Sequence, residues 1–134
     1  MIVADSNLIA YLLIPGDHTA LAESIFLRDH QWAVPSVCRS ELRNILTLCM
    51  RHQKMPLSQA LAIMDQAEEI WSGREYTVPH SDILELTHQH KITAYEAEFV
   101  VLATQLGVTL ITFDKDVRKT FPRIAPDPEK YLTE

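Results

Sequence analysis

Met1-Ile2-Val3-Ala4-Asp5-Ser6-Asn7 opens the chain, and its reading decides the fold. An apolar run that ends in acidic and polar residues predicts a buried strand, residues 1–5, stopping at a polar edge. In open parallel α/β sheets, ligands bind just outside the carboxyl ends of the strands. Asp5 is therefore expected in a binding crevice. The run Val108-Thr109-Leu110-Ile111-Thr112 repeats the pattern and ends at Phe113-Asp114. Two strands that each finish at an aspartate are the beginning of a metal site.

Outward from these two runs, the pattern alternates. Residues 32–34 and 76–78 read as short strands, and 122–124 as a last one. A short helix follows Ser6 or Asn7, either of which can cap it. Helices are expected over about 19–29, 37–53, 56–72, 82–90 and 93–107, with a short one after Asp114. Ser36 is a plausible cap for the third, and Gly107 a C-terminal stop for the 93–107 helix. The tail from Pro126 reads as peripheral. Strands separated by helices imply an α/β fold, with a central, mostly parallel sheet of four to five strands covered by helices on both faces. The 134 residues suit one domain, 1–134.

Composition removes several function classes. The three glycines, Gly16, Gly73 and Gly107, are too scattered for a GxGxxG loop or a P-loop. No apolar run nears the ~18 residues that span a bilayer, and no basic segment precedes an apolar stretch as in a signal peptide. Cys38 and Cys49 fall on one predicted helix, roughly 16 Å apart by its rise, too far for a disulfide. Reduced thiols and the absence of a leader point to the cytoplasm and away from a membrane. A net charge of −6 argues against a general nucleic-acid coat protein. It leaves room for an enzyme that holds phosphates through metal ions.

The remaining acids each carry two readings. Glu41 lies one turn into the 37–53 helix, at the edge of its apolar stripe; a first-turn glutamate favoured by the helix dipole is the plainer explanation. On the 93–107 helix, Tyr95, Phe99, Leu102, Ala103 and Leu106 define an apolar arc, and Glu96 projects within it. Thr93-Ala94-Tyr95-Glu96 also matches a capping box, which would satisfy Glu96 without a metal. Glu98 falls at the opposite boundary of the arc and reads first as a solvated edge residue. Asp114 and Asp116 suit turns and helix caps. The six histidines are scattered and read as surface residues.

The order of these acids resembles the PIN-domain nucleases, and especially the VapC-type toxins of toxin–antitoxin pairs. The segments that carry the resemblance are Met1 to Asn7, Ser40-Glu41-Leu42-Arg43-Asn44, Ala94-Tyr95-Glu96-Ala97-Glu98-Phe99 through Ala103, and Leu110-Ile111-Thr112-Phe113-Asp114. With the helix spacing they cover nearly the whole chain. The resemblance implies a PIN-like fold in which Asp5, Glu41 and Asp114 take three of the family's acidic positions. Asn7 and Thr112 match accompanying polar positions. Glu96 stands where the family usually has aspartate, and Glu98 is a supporting candidate two residues on.

A metal-dependent endoribonuclease follows from that resemblance. Asp5, Glu41, Glu96 and Asp114 would hold the metal and form the catalytic set. Converging carboxylates repel one another, and a divalent cation removes that penalty. Oxygen donors without a histidine or cysteine set favour Mg²⁺, with Mn²⁺ possible. Arg39 and Arg43 are candidates for RNA phosphate contacts, set against an ordinary solvated helix face. The resemblance further implies an RNA substrate, a homodimer and a cognate antitoxin protein; Met64 and Trp71 are candidate interface residues whose default reading is core. A PIN-like module that only binds protein is the alternative, with a phosphoacceptor signalling domain well behind it.

Overall fold

A computed structural model describes all residues, Met1–Glu134. The elements are β1 (Ile2–Ala4), α1 (Ser6–Leu13), α2 (Thr19–Arg28), β2 (Trp32–Pro35), α3 (Val37–His52), α4 (Leu57–Ile70), β3 (Glu75–Tyr76) and α5 (His80–Gln89). They continue with α6 (Ala94–Leu106), β4 (Thr109–Ile111), α7 (Lys115–Thr120) and α8 (Pro128–Thr133). The four strands form one sheet in the order β3-β2-β1-β4, and every pairing is parallel. Every residue of β1 and β2 is buried, as expected of parallel strands with helices on both faces. On one side α6 packs against β1, β2 and β4, while α1 packs against α2, α3 and α4.

The strand order fixes where a ligand can sit. From β1 the chain builds outward through β2 to β3, then returns to place β4 on the other side of β1. The order therefore reverses between β1 and β4, and the crevice at such a reversal opens beyond the strands' carboxyl ends. Ile2, Val3 and Ala4 pair with Thr109, Leu110 and Ile111. That register brings Asp5 level with Thr112, and the Asp5 N–H donates to Ile111 O at 3.1 Å.

Local chemistry explains the helix boundaries near the crevice. Asp5 caps α1 through its side chain, which accepts from the Leu8 N–H; neither Ser6 nor Asn7 takes that role. Thr93 and Glu96 form a complete capping box at the start of α6. Gly107 ends α6 with φ of 66°, a left-handed conformation that glycine adopts without steric cost. Asp114 caps α7 by accepting from the Val117 N–H. Ser36 makes no side-chain cap bond, so α3 begins without one.

Two expectations fail for identifiable reasons. Residues 122–124 form a turn rather than a fifth strand. Pro122 lacks an N–H for a ladder, and the Ile124 and Ala125 N–H groups both bond back to Phe121 O; a single bond, Leu110 N–H to Ile124 O at 2.9 Å, reaches β4. The tail is peripheral, as its composition suggests, and forms α8, which packs on α2 with Pro128 buried and the Arg28 guanidinium 4.4 Å from the Tyr131 ring centre. Tyr95 is 61% exposed, because α6 enters the core only from Ala97 onward. From there Phe99, Val100, Val101, Leu102 and Ala103 are buried on all sides, between the sheet and α5. Trp71 belongs to the core, only 1% exposed. No helix is long and apolar enough to cross a membrane.

Candidate active site

The crevice between the ends of β1 and β4 holds a cavity of about 300 Å³. Asp5, Glu41, Glu96 and Asp114 all line it, with Asn7, Asn44 and Thr112 as further oxygen-bearing neighbours. No lysine, arginine, histidine or cysteine lines it. Four elements deliver the acids: the end of β1, the second turn of α3, the first turn of α6, and the segment after β4. The supporting candidate Glu98 lies outside the cavity wall.

Asp5 is the most buried of the four. It is 8% exposed. Its Oδ1 accepts from the Leu8 N–H at 2.7 Å and its Oδ2 from the Phe113 N–H at 3.1 Å. Burial pushes its pKa up to about 6; the Thr112 hydroxyl and the two backbone N–H groups oppose that rise, and the charge of Glu41 adds to it. An acid in this state resists ionisation unless positive charge comes near. Tyr11 is raised too, by burial and then by the charge of Asp5.

The other three acids each have one oxygen engaged. Ser6 Oγ donates to Glu41 Oε1 at 2.7 Å and lies 3.4 Å from Cys38 Sγ. Glu96 Oε1 accepts from the Thr93 N–H at 2.9 Å. Asp114 Oδ1 accepts from the Val117 N–H at 2.8 Å, and its own N–H donates to Thr112 Oγ1 at 3.1 Å. The capping reading and the cavity reading of Glu96 are thus both true, each using a different part of the carboxylate. Glu98 is raised by burial and then by Glu41, with His80 opposing.

These residues fit a hard divalent cation. The donor set is oxygen only, which suits Mg²⁺ or Mn²⁺, and nothing in the wall neutralises four carboxylates. No three of the acids stand close enough together to share one ion. That spacing suits Mg²⁺ held through one or two carboxylates with several waters retained.

The candidate phosphate-binding arginines fare differently. Arg39 is committed elsewhere: its guanidinium makes two bonds to Glu75, at 2.6 and 2.9 Å, and a salt bridge to Glu68 at 3.3 Å. Arg43 is exposed, and its Nε donates to Arg39 O. Of the histidines, His90 departs from the surface reading, packing edge-on to Phe121 with ring centres 4.8 Å apart.

Sequence reasoning missed Ser6 and Asn44 as parts of the site. Ser6 was readable as a helix cap, but a helix that begins at residue 6 is capped from residue 5. That frees the buried Ser6 hydroxyl for Glu41. Asn44 follows Glu41 by three residues, which puts it on the same helix face.

With this geometry established, comparison with known proteins places the fold. No protein-family model matches the sequence. FitAcB from Neisseria gonorrhoeae superposes with a TM-score of 0.70, covering 96% of this chain and 99% of its own, at 17% identity. The fold is PIN-like. PAE2754 from Pyrobaculum aerophilum gives a TM-score of 0.71 at 17% identity, over 98% of this chain and 93% of that one. VapC20 of Mycobacterium tuberculosis, described as a toxin that cleaves the sarcin–ricin loop, gives 0.67 at 15% identity over 90% and 95%. In sequence, Ribonuclease VapC3 of Pyrobaculum aerophilum is 26% identical over 129 residues, 92% of this chain and 96% of its own length.

Proposed function

We propose that this protein is a metal-dependent endoribonuclease that hydrolyses RNA phosphodiester bonds. The observation that carries this reading is the cavity at the strand-order reversal, lined by four carboxylates and no cation. The name of the VapC3 relative and the description of VapC20 support RNA as the substrate. Of Asp5, Glu41, Glu96 and Asp114, one or two would hold Mg²⁺ or Mn²⁺ directly and the others through its retained waters. When bound, such an ion activates water and offsets charge on the phosphodiester.

The chain's own residues prepare that chemistry. Asp5 is fixed by two backbone N–H groups, so it is already oriented before anything binds. Ser6 keeps Glu41 turned toward the cavity. Thr112 stands beside Asp5 and accepts from the Asp114 N–H, coupling the two strand-end aspartates. The N-termini of α1 and α6 lie at the cavity, and their partial positive charge favours anionic groups there. No covalent protein intermediate is needed, and no side chain in the wall is an obvious nucleophile.

The description of VapC20 as a toxin supports a toxin role, and the resemblance in sequence implies with it a cognate antitoxin protein that covers the site, a homodimer and a cytoplasmic location. The buried free thiols of Cys38 and Cys49 suit a reducing compartment. A second reading, a PIN-like module that only binds protein, draws on one observation: Glu96 Oε1 is turned to the capping box and no three acids share a ligating distance.

The deciding experiment is RNA cleavage by purified protein in Mg²⁺ or Mn²⁺, beside EDTA and Asp5→Asn controls. Cleavage abolished by both controls is the expected result. Cleavage that survives them, or none on any of several structured RNAs, would favour the binding module.

A further inference from the structure

On the other flank of α7 from the acidic cavity lies a depression of about 420 Å³. Lys115, Arg118, Lys119 and Lys130 line it, with Asp127 as the one carboxylate. A chain of net charge −6 with twelve lysines and arginines thus gathers four of them in a single hollow. Asp127 is already occupied, since its Oδ1 caps α8 through the Glu129 N–H at 2.8 Å and its Oδ2 stands 3.5 Å from Arg118. Arg118 Nε is buried without a hydrogen-bond partner. Lys115, Lys119 and Lys130 are exposed and form no salt bridge.

Position ties this hollow to the site. Val117 faces the acidic cavity, and Lys115 and Lys119, two residues to either side, point to the opposite side of α7 at ~100° per residue. One helix, about 10–12 Å across, separates the two. A stacked strand rises about 3.4 Å per nucleotide, so a chain passing over the start of α7 would cross it in roughly three nucleotides. Lys115 follows Asp114 directly. Of the cations of α3, Arg39 is paired, Arg43 donates its Nε to Arg39 O, and Arg51 lies roughly 15 Å along the helix from Glu41 at ~1.5 Å per residue.

We infer that this hollow holds the phosphates of the RNA strand flanking the bond that is cut, with Lys115, Lys119 and Lys130 as the contacting groups. The inference rests on the ribonuclease reading and adds the path of the substrate to it. Lysine serves such contacts as a point charge, which binds the backbone without reading its sequence.

The salt dependence of binding tests it. Each phosphate contact to a single strand steepens the fall of log K with log salt by about 0.7. Binding of labelled single-stranded RNA is measured in EDTA from about 50 to 200 mM salt, with circular dichroism to verify folding. The variant Lys115→Gln/Lys119→Gln/Lys130→Gln is expected to show a slope shallower by about 2; Arg51→Gln/Lys54→Gln is expected to keep the wild-type slope. An unchanged slope in the triple variant, with wild-type RNA binding and cleavage intact, overturns this inference alone. RNA cut in Mg²⁺ yet not bound in EDTA also overturns it, because lysine contacts need no ion. RNA neither bound nor cut by the wild type overturns the ribonuclease reading, and this one with it.

Discussion

The two flanks of α7 carry opposite charge and hold it in opposite ways. On the acidic side every carboxylate has an oxygen tied down, three of them by backbone N–H groups and Glu41 by Ser6. On the basic side the three lysines are unpaired and exposed. Fixed donors preorganise a site, so that little reorganisation is needed when charge develops there. Mobile lysines give up rotamer freedom only on contact, which suits attraction to a flexible strand rather than chemistry. On the ribonuclease reading, the difference assigns reaction to one flank and grip to the other.

The sharpest way to break that division is Asp5→Asn. Loss of the central carboxylate is expected to lower RNA cleavage on the order of 10³-fold, the scale of several kcal/mol of charge stabilisation, while RNA binding in EDTA persists. Single-turnover cleavage beside fluorescence anisotropy reads both. Loss of binding in step with cleavage would show that the flanks are not separable.

Stability against pH probes the acidic flank without substrate. Asp5 has a folded-state pKa of about 6, above its ordinary 3.8. The folded state therefore holds the proton more tightly, and Asp5's contribution is full below about pH 4 and lost as pH rises through 6. The loss is about 3 kcal/mol at 1.36 kcal/mol per pKa unit. Urea unfolding from pH 4 to 7.5 in EDTA should show the decline, and millimolar Mg²⁺ should restore stability at pH 7.5. A decline that ignores Mg²⁺ would mean that the acids do not hold an ion.

Ser6→Ala asks whether orientation matters as well as charge. Partners that orient metal ligands are worth about 10–100-fold in affinity or activity. That loss should appear in the Mg²⁺ concentration needed for cleavage, and the binding of RNA in EDTA should not change. Equal Mg²⁺ dependence in wild type and variant would make the Ser6–Glu41 bond merely structural.

The smallest expected effect separates the two jobs of Glu96. Thr93→Ala removes the cap of α6 at a cost of about 1 kcal/mol, visible as a lower urea midpoint. Cleavage by the remaining folded protein should stay close to wild type. A cleavage loss far beyond the folded fraction would show that the capping box also positions Glu96 for the ion.

How much of this was legible depended on whether a residue's partner lay nearby in sequence. The ends of β1 and β4, the capping box at Thr93 and Glu96, and the stop at Gly107 are local patterns, and the structure has all of them. Asp5 and Asp114 could be placed at one crevice because parallel strand ends share an edge. Arg39 could not be read correctly: Glu75, which claims it, is 36 residues away. The same holds for α8, whose partner α2 lies about a hundred residues earlier, and for Ser6, whose role depends on Glu41. The turn at 122–124 was misread because apolar residues beside a proline suit a strand edge as well as a turn.

The bond from the Phe113 N–H to Asp5 Oδ2 spans 108 residues. Its consequence concerns the order of synthesis. A ribosome makes Asp5 long before β4, which completes its surroundings and comes only after more than a hundred further residues. Contacts between such distant segments form late and slowly in folding. On the ribonuclease reading, a chain built this way stays harmless to the ribosome and message that are producing it until β4 has emerged.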